Sequence, residues 1–197
     1  MIRDLAIHTP HGNLHGRLER PPAAHGLIVL ARAHHAPIDR LLADLLVEQG
    51  FAVLSMDLLT LQETQFADAT LNVPRLAQRL IEILDLARSD GDMEKLPLGI
   101  YASGDTTPAA IRAAAQRDAQ VRALVCHGGL LDRAGVQALE LLVAPLLMLF
   151  DSSDPLGPAA YRRAGTHLNA RHAEQQLEAG DDALAAAIPW FLRYLPG

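Results

Sequence analysis

Cysteine is almost missing from this chain. Cys126 stands alone among 197 residues, so no internal disulfide can form and a reducing compartment is expected. Long apolar runs are missing too: the longest, residues 141–150, contains Pro145 and is too short to span a bilayer. The first residues, Met1-Ile2-Arg3-Asp4, lack the apolar core of a signal peptide. Blocks of like charge are absent, and the formal net charge of −6 argues against a nucleic-acid surface. The nine histidines show no HxH or HExxH spacing, and there is no cysteine pair, so a metal site is not expected. No GxGxxG or phosphate-loop pattern occurs, so no nucleotide cofactor is implied. These absences predict a soluble, cytoplasmic protein with neither nucleic acid nor membrane as partner, and with no cofactor.

What is present is a large apolar fraction. Half of the residues are hydrophobic and 20% are charged, which suits one domain over 1–197 built around one sizeable core. Alternating patterns around Pro10-His11-Gly12-Asn13 predict an antiparallel N-terminal hairpin over 2–19. The continuous apolar run at 26–31 reads as a strand covered on both faces, and further strands are expected at 51–56, 96–102, 121–126 and 145–150. A weaker, polar strand is expected near 172–178. Between them, helical spacing appears in Ile38, Leu41, Leu42, Leu45 and Leu46, and again in Leu76, Leu80, Ile83 and Leu84. Further helices are expected at 108–117, 134–142 and 156–168, with a last one carrying Leu184, Ile188 and Phe191. Pro189 should kink that helix or mark its start.

Strands alternating with helices predict a three-layer α/β domain, its central sheet mostly parallel. In such a sheet, functional groups gather on loops after the carboxyl ends of strands. That rule selects Arg32 to His35, Asp57, Ser103 to Thr107, His127 to Gly129, Asp151 to Asp154 and the pair Asp181-Asp182. Of these, Arg32, His34 and His127 are candidate ligand-binding residues. Cys126 ends a buried apolar run and reads as a small core residue. The segment Leu98-Gly99-Ile100-Tyr101-Ala102-Ser103-Gly104-Asp105-Thr106, followed by Pro108 and an Ala-rich helix, has the strand-turn-helix context of a nucleophile elbow.

Several segments in order make the chain resemble the dienelactone hydrolase-like branch of the α/β-hydrolase superfamily over nearly its whole length. They are Asp57-Leu58-Leu59-Thr60, Asn72-Val73-Pro74-Arg75-Leu76-Ala77-Gln78-Arg79-Leu80, Leu96-Pro97-Leu98-Gly99, His127-Gly128-Gly129 and the terminal Trp190-Phe191-Leu192-Arg193-Tyr194-Leu195. The resemblance implies a nucleophile at the elbow, an acid after a later strand and a histidine in the last loop. It places Gly104 at the nucleophile's position, with Ala102 and Thr106 as the small neighbours. Two other registers stay open: Ser103 as nucleophile, or Asp105 as a carboxylate nucleophile. Asp154, in Asp154-Pro155-Leu156, matches the acid's loop and equally suits a helix cap. The last loop reads Leu177-Glu178-Ala179-Gly180-Asp181-Asp182-Ala183, and no histidine follows His172. The His-Gly pair usual after the first central strand is replaced by Ala31-Arg32-Ala33-His34-His35-Ala36-Pro37.

A serine hydroxyl without a base stays protonated and nucleophilically weak at neutral pH. The sequence therefore predicts a hydrolase-fold protein that is non-catalytic or repurposed for binding a small molecule or a partner. The alternative is an active ester or lactone hydrolase using Ser103 or Asp105, with an unexpected base and with Asp154 as the acid.

Overall fold

A computed structural model describes residues 1–33 and 37–195. His34, expected to face a ligand, and His35 lie outside the described residues. The described chain runs β1 (Ile2–Thr9), β2 (Gly12–Glu19), β3 (Gly26–Arg32), α1 (Pro37–Glu48), β4 (Phe51–Asp57), α2 (Val73–Ser89), β5 (Leu98–Ser103), α3 (Thr107–Gln116), β6 (Val121–His127), α4 (Val136–Leu141), β7 (Leu146–Asp151), α5 (Gly157–Gly165), β8 (His172–Leu177) and α6 (Ala183–Tyr194). Eight strands form one sheet in the order β1-β2-β4-β3-β5-β6-β7-β8. The β1–β2 and β2–β4 pairings are antiparallel. All others are parallel. This is the expected mostly parallel sheet with an antiparallel N-terminal hairpin.

The apolar runs become strands because both of their faces are covered. Even-numbered positions of β5, such as Ile100 and Ala102, join Leu124 and Cys126 of β6 and Met148 of β7 in a core shared with α2, α3, α4 and α5. Odd-numbered positions, among them Tyr101, Val125 and Leu149, form a second core with α1 and α6. Side chains alternate across a strand, so the terminal residues Ser103, His127 and Asp151 fall on the α1 and α6 side. On that side Gly99 admits the Phe191 ring, since a Cβ there would stand 2.8 Å from it.

Helix starts follow local chemistry. The Asn72 side chain accepts the Arg75 N–H, with Pro74 in the first turn of α2. Asp182 accepts the Leu184 N–H at α6, satisfying a donor that has no intrahelical partner. Pro189 sits inside α6 and not at its start; the Asp182 cap begins the helix earlier than the proline marks. Among the described residues, no helix is long and apolar enough to cross a membrane.

Candidate functional site

The carboxyl ends of β3, β5, β6 and β7 meet around the turn that joins β5 to α3. Ser103 ends its strand in extended conformation, and residues 104–106 form one tight turn before α3. Gly104 takes φ +55°, a left-handed backbone that costs a residue with a Cβ and not glycine. A Cβ built on it would meet nothing within 4 Å. The turn thus presents its central residue to open space.

Polar contacts tie this turn to its neighbours. The Ser103 N–H donates to Thr106 Oγ1 over 3.1 Å. The Thr106 hydroxyl lies 2.9 Å from the carbonyls of both Ala31 and Ser103. Thr107 donates its hydroxyl to the Gly128 carbonyl at 2.9 Å. Behind it, burial pushes the Cys126 thiol up to about 12, which keeps it neutral and inert as a nucleophile.

The candidate side chains go to separate partners. Asp105 is exposed and accepts the Thr70 hydroxyl at 2.6 Å. Asp154 accepts the N–H groups of Leu156 and Gly157 at 3.0 and 2.9 Å, so it caps the entry to α5. Its second oxygen approaches Gly128, whose Cβ would lie 3.8 Å away. Arg32 pairs with Asp57 at 2.9 Å, and both line a cavity of about 280 Å³ shared with Arg17 and Ser55. Asp154 lines another cavity, of about 220 Å³, with Arg162 and Glu174. The edge therefore does not gather Arg32, Asp105 and Asp154 onto one point.

It does gather three strand-terminal residues. Ser103 is the register partner of His127 across β5 and β6. His127 Nε2 lies 3.1 Å from Asp151 Oδ1, and its Nδ1 lies 3.5 Å from the Tyr101 hydroxyl. No hydrogen bond joins the Ser103 hydroxyl to His127. Asp151 and Tyr101 were not singled out as partners of His127 from the sequence. The signal was available: Ser103, His127 and Asp151 are each the last residue of consecutive parallel strands. In the last loop, Asp181 accepts the Glu178 N–H at 2.8 Å and Asp182 caps α6. Among the described residues, no three His, Cys, Asp or Glu side chains are grouped to hold a metal ion.

No protein-family model matches the chain. A dienelactone hydrolase from Anabaena variabilis superposes with a TM-score of 0.88 at 27% identity, covering 99% of this chain and 98% of that one. The fold is that of the α/β-hydrolases. A cold-adapted esterase from an Arctic intertidal metagenomic library shares the α/β-hydrolase fold at TM-score 0.75 and 12% identity, over 98% of this chain and 94% of its own. An acetyl xylan esterase from Paenibacillus sp. R4 does so at TM-score 0.70 and 14% identity, over 98% and 84%. In sequence, proteins from two Mycobacterium tuberculosis strains, provisionally named phosphoribosyl transferases, are 29% identical over 196 residues. That match takes in 92% of this chain but 44% of theirs, so the α/β-hydrolase fold here spans less than half the length of those relatives.

Proposed function

We propose that this chain is a dienelactone hydrolase-like domain whose carboxyl edge binds a small molecule or a partner and does not hydrolyse esters or lactones. One observation carries the reading: the turn between β5 and α3 keeps a left-handed backbone and an open approach, yet its central residue is Gly104, which has no attacking atom. The last loop supports it, since Glu178, Asp181 and Asp182 stand where the resemblance calls for a histidine. Carboxylates there serve as a turn brace and a helix cap. A turn offering only backbone donors would give electrostatic stabilisation and no covalent step.

The name of the mycobacterial relatives belongs to longer proteins. The dienelactone hydrolase matches this chain nearly end to end on both sides, and the present reading rests on that match and not on the longer relatives' name.

A second reading is favoured by the alignment of Ser103, His127 and Asp151 on adjacent strands. That is the order of a nucleophile, a base and an orienting acid. An assay on simple esters and lactones against a heat-denatured control, together with fluorophosphonate labelling, separates the two. Binding predicts no turnover and no label; stoichiometric labelling of Ser103 overturns it.

A further inference from the structure

The opposite edge of the sheet holds a cavity of about 800 Å³, within the range of small-molecule sites. It lies between the C-terminal ends of α2, α3 and α6 and the loops that enter β3, β5 and β6. Six residues of β5 separate it from Gly104, roughly 20 Å at an extended rise. Arg88, Lys95, Arg117 and Arg122 line it, against Glu94 and Asp118.

This concentration of cations stands out in a chain of net charge −6. The four come from different elements, so no single solvated helix face accounts for them. Arg117 is anchored by Asp85, at 2.9 Å, and Arg88 reaches the same carboxylate at 3.6 Å. Lys95 and Arg122 are exposed and, among the described residues, have no ion-pair partner. Asp118 is engaged with the Ala119 N–H at 2.8 Å. The wall between the charges is less polar, formed by Leu96, Pro97 and the Tyr194 ring.

We propose that this amino-edge cavity binds a small organic polyanion, of the size and charge of a nucleoside triphosphate. Phosphate oxygens would be taken by Lys95 and Arg122, with Arg88 and Arg117 at the rim, through charge-assisted hydrogen bonds. The organic part lies along Pro97 and Tyr194. The cavity volume admits such a molecule, and its distance from the carboxyl edge makes it independent of the reading of Gly104.

The test is isothermal titration of the protein with ATP at low ionic strength, without added divalent cation. One molecule should bind per chain, with affinity falling as salt is raised, because exposed charges are screened. The double variant Lys95→Gln/Arg122→Gln, both positions exposed, should keep the wild-type unfolding midpoint and lose about tenfold or more in affinity. Adenosine should bind far more weakly than ATP. Absence of binding by folded wild-type protein, equal affinity for adenosine, or undiminished affinity in the double variant would each overturn the proposal.

Discussion

The carbonyl oxygen of Gly104 packs against Gly129 so closely that a Cβ on Gly129 would collide with it. Gly129 also takes φ +89°, so two independent constraints exclude a side chain there. The turn after β5 is therefore held by the loop after β6, and its shape persists without a side chain at its centre.

Gly129→Ala should be costly. The added methyl meets the Gly104 oxygen and the Thr107 side chain, and the positive φ adds strain, together about 2–4 kcal/mol. A fall in urea midpoint with unchanged slope would report it. A loss under half a kcal/mol would mean that the two loops move apart freely.

Gly104→Ser tests the site directly. Its side chain enters open space, so the only penalty is the left-handed backbone, about 1 kcal/mol. The variant should fold and still fail to hydrolyse p-nitrophenyl acetate above the wild-type rate, because the last loop supplies Asp181 and Asp182 and no imidazole. Vigorous hydrolysis would show that a base is within reach, with His127 as the residue to remove next.

The buried pair Glu63 and Arg79 sets an acid limit on stability. Glu63 takes two hydrogen bonds from Arg79, at 2.6 and 2.8 Å, and one from the Thr60 N–H. Those from Arg79, chiefly, pull its carboxyl from the usual 4.5 down to about 2, against the opposing effect of burial. A lowered folded-state value means that the stabilisation is complete above 4.5 and is lost as pH falls toward 2. Glu63→Gln should lower stability at neutral pH and flatten the decline across that window. Arg79→Ala leaves the buried carboxylate with only Arg75, at 3.2 Å, and Thr60, and should cost about 2–3 kcal/mol. The consequence reaches the site, because Glu63 braces the segment that delivers Thr70 to Asp105.

The fold was legible because its signals are local and repeated. The run at 26–31 read as a strand covered on both faces, and Leu76, Leu80, Ile83 and Leu84 marked one face of α2. The central position of Gly104 was legible for the same reason: strand, small turn and helix are contiguous. What was not legible was pairing through space. Asp154 suited both an acid loop and a cap, and only its contacts with Leu156 and Gly157 show the cap. Arg32 looked available for a ligand until β4 brought Asp57 beside it. The link from His127 to Asp151 required knowing that β6 and β7 are neighbours, in a register that sets His127 opposite Leu149, two residues before Asp151.

That link yields the last prediction. His127 joins three strands, reaching Tyr101 on β5 and Asp151 on β7, so His127→Ala should lower stability by about 1 kcal/mol through lost hydrogen bonds. If Nε2 donates to Asp151, the remaining Nδ1 lone pair is the only base on the ring, and it faces the Tyr101 hydroxyl and not the Ser103 hydroxyl. A base must lie within hydrogen-bond reach of the proton that it removes. Ser103 should accordingly resist a fluorophosphonate in wild type, in His127→Ala and in Tyr101→Phe alike. Labelling of Ser103 that appears in wild type or Tyr101→Phe and vanishes in His127→Ala would make Ser103, His127 and Asp151 a working triad. It would return the protein to the active hydrolases.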